Sequence, residues 1–90
     1  MPESATIGEE YPLLVYDPPG NGGGLTARVS HIDFPGEVEI LEMTSLPSVL
    51  GQPVVYSGSF TPSRLGWYVA TFSVDDYLPA GVHKFYVNRE

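Results

Sequence analysis

The chain has 90 residues, 42% of them apolar, and a net charge of −7 from 11 acidic and 4 basic residues. That is the length of one domain with one core, and its charge repels phosphate backbones and anionic bilayers, so neither nucleic acid nor membrane is an expected partner. With no cysteine, disulfides and thiolate metal sites are excluded.

The opening residues, Met1 to Thr6, carry neither a basic residue nor an apolar run, so no leader is expected there. No stretch approaches the ~20 apolar residues of a spanning helix. Residues 1–10 are expected to form a flexible N-terminal arm, and residues 11–90 the folded domain. Glycine (10) and proline (9) cluster between short apolar runs, which is the rhythm of strands and turns.

The first predicted strand is Tyr11–Tyr16, stopped by the Pro- and Gly-rich segment from Asp17 to Gly24, where prolines remove donors and glycines loosen the backbone. That segment is a flexible connector. It is not a phosphate loop, because it lacks a following Lys-Ser/Thr and precedes a strand. Leu25 to Ile32 follows with period two: Leu25, Ala27 and Val29 alternate with Thr26, Arg28 and Ser30. Asp33-Phe34-Pro35-Gly36 has turn chemistry. In Glu37 to Thr44, Val38 and Ile40 alternate with Glu37 and Glu39, and then Leu41 and Met43 switch parity, as at a bulge or a strand end. A short helix through Ile40, Met43 and Leu46 competes, but the run before Pro47 is short for one. Ser45 to Pro53 is a connector whose Leu46, Val49 and Leu50 would cap the core.

Val54 to Phe60 is the next strand, with Val54, Tyr56, Gly58 and Phe60 on one side. Then, after the corner from Thr61 to Gly66, Tyr68, Ala70, Phe72 and Val74 alternate with Trp67, Val69, Thr71 and Ser73. The chain turns between Asp75 and Gly81. Val82 to Asn88 closes the domain, with Phe85 and Val87 inward and Tyr86 outward. No segment can serve as a crossover helix, so a parallel βαβ sheet is excluded. The fold predicted is all-β, an immunoglobulin-like antiparallel sandwich of six to seven strands.

Gly66 and Tyr68 stand where such sandwiches carry a structural corner: a tyrosine at the start of the penultimate strand bonds back to the preceding corner, and a glycine lets the chain make it. Gly24-Leu25-Thr26-Ala27-Arg28-Val29, Tyr56-Ser57-Gly58-Ser59-Phe60-Thr61-Pro62 and Gly66-Trp67-Tyr68-Val69-Ala70-Thr71-Phe72 resemble small immunoglobulin-like accessory virion proteins of tailed bacteriophages, such as capsid decoration (cement) proteins and neck or tail components. The resemblance spans about residues 11–88. It implies a structural protein on a particle surface that binds the major capsid protein or other virion proteins, often as a trimer. A 90-residue chain starting at Met1 without a leader suits that expectation, and an extracellular location is the alternative.

No chemistry is expected. Ser30, His31 and Asp33 are neighbours on a strand and its turn, so their side chains diverge where a triad needs convergence. His83 has the place of an ordinary strand residue. The pairs Glu9-Glu10 and Asp75-Asp76 match solvated loop acids, and Asp75-Asp76 lacks the spaced ligands of a calcium loop. No cofactor or metal is called for. The partner-binding candidates are Trp67, Tyr86 and Tyr56. With Tyr68 inward, Trp67 faces out, either to an interface, where Trp and Tyr are favoured, or under a neighbouring loop such as Leu46–Leu50. Two uses compete: attachment to a virion lattice, or stacking on sugar rings in a glycan-binding or adhesion module.

Overall fold

The computed structural model describes residues 4–16, 24–46, 51–74 and 78–89. They contain no helix and eight strands: β1 Ser4–Thr6, β2 Tyr11–Tyr16, β3 Leu25–His31, β4 Phe34–Glu42, β5 Thr44–Ser45, β6 Val55–Phe60, β7 Gly66–Val74 and β8 Leu78–Asn88. Two sheets stack as a sandwich. The larger has the order β1-β8-β7-β3-β4 and the smaller β2-β6-β5. All pairs are antiparallel except β1 with β8.

Period-two alternation builds the core. Leu25, Ala27 and Val29 of β3, Tyr68, Ala70, Phe72 and Val74 of β7, and Phe85 and Val87 of β8 are buried against Tyr11, Leu13 and Val15 of β2 and Phe60 of β6. Phe85 is its centre. It stacks on Tyr11 at 4.2 Å and on Tyr68 at 5.6 Å, and meets Phe60 edge-on at 6.1 Å. His83 also turns inward, half-buried, with Nε2 2.7 Å from the Tyr11 hydroxyl.

The structure corrects the sequence reading in four places. The stretch read as an arm holds a strand: Ala5 sits opposite Val87 and is buried, the Ile7 amide donates to the Asn88 carbonyl, and the Gly8 amide donates to the Pro62 carbonyl. An N-terminal strand of three residues is too short to show periodicity, so only its pairing defines it. The turn after β3 is shorter than Asp33–Gly36. His31 pairs directly with Phe34, leaving Ile32-Asp33 as the loop, and Pro35 and Gly36 fall in an irregular start of β4. A proline fits there because β4 is an edge strand. Similarly, β8 begins at Leu78, and a register shift places Gly81, at φ 135°, opposite Phe72.

The fourth difference concerns β4. Its Val38 and Ile40 oppose Ser30 and Arg28, whereas Glu39 and Leu41 oppose Val29 and Ala27. Opposed residues share a face. Glu39 and Leu41 therefore lie on the inner side, and Val38 and Ile40 point outward, 45% and 56% exposed. The inner side tolerates Glu39 because it lines an open cleft there, and all residues of β4 except Leu41 are exposed. The parity switch at Met43 marks the passage to the other sheet. Met43 is buried over Gly58, where a Cβ would come 2.7 Å from its sulfur. The connector residues Val49 and Leu50, most of the Asp17–Gly24 loop and the Asp75-Asp76 pair lie outside the described residues.

Candidate functional site: the outer sheet face and its flank

The outer face of the larger sheet carries the residues that the β7 alternation turns away from the core. Trp67 is directly opposite Tyr86, and their rings meet at 5.2 Å and 76°. They are 49% and 38% exposed. Val69 opposes Lys84 and Thr71 opposes Val82 in the next two rows, and across β3 the same face continues to Val38 and Ile40. A two-layer sandwich covers one face of each sheet, and among the described residues no further layer lies over this one. Tyr56, the third nominated residue, is placed differently. It is half-buried and packs against the core cluster from the smaller sheet, on the side of Phe60. The structure brings Trp67 and Tyr86 together and leaves Tyr56 apart from them.

The corner residues form a second unit. Gly66 has φ 111°, a region that side chains rarely enter, and a Cβ there would lie 3.0 Å from His31 Nε2. The Tyr68 hydroxyl accepts a hydrogen bond from the Arg64 amide at 3.1 Å. His31 is buried beside it. Its Nδ1 accepts from the Asp33 amide at 3.0 Å, and its Nε2–H donates to the Leu65 carbonyl at 2.7 Å. An amide can only donate and a carbonyl only accept, so the neutral Nε2–H tautomer fits both partners. Both ring nitrogens are thus engaged by backbone, and Ser30 faces the opposite side of β3, so Ser30, His31 and Asp33 do not converge. Sequence reasoning missed this structural role of His31. Its position at an inward site of β3 was the available signal.

Arg64 ties the corner to β4. Its guanidinium donates from Nε and Nη2 to the two carboxylate oxygens of Glu37, at 3.0 and 2.8 Å, and lies 3.8 Å over the Phe34 ring. These hydrogen bonds, with the opposite charge of each partner, hold the Glu37 carboxyl below its ordinary range and raise the Arg64 guanidinium above its own. Glu37 also lines a cleft of about 320 Å³ between β4 and the corner after β6. Glu39, Phe60, Thr61, Ser63 and Tyr68 are among its walls. No group of His, Asp and Glu suited to a metal ion occurs among the described residues.

No family model matches this sequence, and neither the curated proteins nor the solved structures contain a similar chain.

Proposed function

We propose that this chain is an immunoglobulin-like interaction domain that attaches to another protein through the outer face of its larger sheet. The strand order supports the immunoglobulin-like part. β8-β7-β3, extended by β4 and facing β2-β6-β5, has the arrangement of the G-F-C strands, with an added C′ strand, opposite B-E-D. Tyr68, at the start of the penultimate strand and bonded to the backbone four residues upstream, occupies the place of the corner tyrosine.

The observation that carries the functional reading is the Trp67–Tyr86 pair: two large aromatics directly opposed on a sheet face that no layer covers among the described residues, with Val82, Val38 and Ile40 exposed on the same face. Aromatic side chains bring large apolar area and little rotamer entropy to an interface. A protein surface suits this pair better than a sugar ring. At 76° the two rings form an edge-to-face wedge, whereas a sugar stacks on a flat platform. The more specific reading is a decoration protein on the capsid lattice of a tailed bacteriophage, self-associating as a trimer; it rests on the sequence resemblance.

Light scattering of the purified chain, and co-sedimentation with tailed-phage capsid shells, test this. The expected result is stable attachment or self-association, lost in a Trp67→Ala/Tyr86→Ala variant whose circular dichroism is unchanged. A clean monomer that sediments with no shell, or a variant that attaches equally well, would overturn it. Glycan-array binding that disappears in Trp67→Ala would assign the face to sugars instead.

A further inference from the structure

β4 is the outermost strand of the larger sheet, and among the described residues no strand pairs with its far edge. Such an edge presents a row of backbone donors and acceptors that another strand can use. We propose that this edge takes up an extended partner segment in which basic side chains alternate with apolar ones. This goes beyond the aromatic face: Trp67 lies on β7, with β3 between it and β4.

The chemistry of the partner follows from the two sides of β4. An added strand places alternate residues on opposite faces of the sheet. On the inner side it would pass Glu37 and Glu39. Glu37 is engaged with Arg64, whereas among the described residues no cation pairs with Glu39, which lines the cleft. Phe60 and Tyr68 give that cleft an apolar wall, and Thr61 and Ser63 give it hydroxyls. A lysine or arginine can lay its stem on the rings and bring its charge to Glu39. On the outer side the partner would meet the exposed apolar Val38 and Ile40, followed by Glu42. An edge kept only to repel other strands has no use for that apolar pair.

A second copy of this chain fits the edge poorly. Antiparallel self-pairing centred on Val38 sets Glu37 against Glu39, and centring on Glu39 sets that residue against itself. Centring on Ile40 leaves the two Glu39 side chains diagonal across the seam. Like charges directly opposite are destabilising, and each copy already carries −7. A basic strand reverses every one of these terms.

The test uses a soluble synthetic peptide of nine residues alternating Lys and Val, with two controls: the same pattern built from Glu and Val, and Lys and Val in blocks. Calorimetry reads affinity, and amide NMR with hydrogen exchange reads location. The alternating basic peptide should bind, protect amides of Phe34–Glu42, and weaken with added salt. Both controls should bind far less. Glu39→Lys should lose roughly fivefold or more in affinity, because the attractive cross-strand pair on the inner side becomes repulsive, with the rest of the amide spectrum unchanged. Trp67→Ala should bind the peptide as the parent does, which separates this edge from the aromatic face. No binding at millimolar peptide, equal binding by the charge-reversed variant, changes located away from β4, or pairing of β4 with a second copy would each overturn the proposal.

Discussion

β7 and β4 are both nine-residue strands of one sheet, yet they use alternation in opposite ways. In β7 every second residue from Tyr68 to Val74 is apolar and buried, and the residues between face outward. In β4 the residues on the inner side include Glu37 and Glu39, and the apolar Val38 and Ile40 face solvent. The difference lies in what stands opposite. β7 is central and faces the three-stranded sheet. On the inner side of β4, Glu37 and Glu39 line a cleft, and Leu41 is the residue that packs against the core. Alternation reports that a strand has two unlike sides, and the neighbouring layer decides which of them is dry.

Substitution along the two regions sharpens the contrast. Phe85→Ala, on β8 directly beside β7, removes a fully buried ring with four stacked or edge-on ring neighbours. It should cost roughly 3–5 kcal/mol, enough to threaten folding in a domain stable by ~5–15 kcal/mol. Ile40→Ala on β4 should change stability by about 0.5 kcal/mol or less, as exposed positions do. Urea denaturation measures both, and a loss at Ile40 comparable to that at Phe85 would mean that β4 is covered after all. Gly66→Ala should come next in size. At φ 111°, with His31 Nε2 3.0 Å from the new methyl group, it should cost roughly 1–3 kcal/mol, and the His31 ring resonances should shift with it. Tyr68→Phe removes only the acceptor for the Arg64 amide and should cost about 1 kcal/mol. An unchanged denaturation midpoint would mean that water replaces the hydroxyl there.

The sequence made the sandwich legible where strands were long and one-sided. The runs Leu25–Ile32 and Tyr68–Val74 each display their inward set. The corner was also legible, because Gly66 and Tyr68 have fixed offsets from the start of a strand. The polarity of β4 was not, since Val38/Ile40 against Glu37/Glu39 gives the same pattern whichever side is covered. β1 was hidden for a different reason: Ser4–Thr6 is fixed by parallel pairing with the end of the chain, a long-range contact without a local signal. At the outer face, Trp67 followed directly from the inward direction of Tyr68, and Tyr86 from that of Phe85. Tyr56, nominated for partner binding, shares the side of Phe60 on β6 and is half-buried against the core.

The smallest expected effect concerns the tie between the two regions, Arg64–Glu37. The Glu37 carboxyl titrates below its ordinary value in the folded chain, so folding favours its ionised form. The contribution is therefore fully present above the pH at which an unfolded glutamate ionises, and it is lost as pH falls through the lowered folded value. Both side chains are exposed, and salt screens exposed pairs. Parent and Glu37→Gln should accordingly differ in melting temperature near neutral pH in dilute buffer and converge in acid. Molar sodium chloride should shrink the gap at neutral pH as well. If the gap persisted below the carboxylate range, the difference would come from packing over Phe34, where the Arg64 guanidinium lies 3.8 Å from the ring. Phe34→Leu would then reproduce it, and the coupling between the β4 edge and the corner would be one of contact instead of charge.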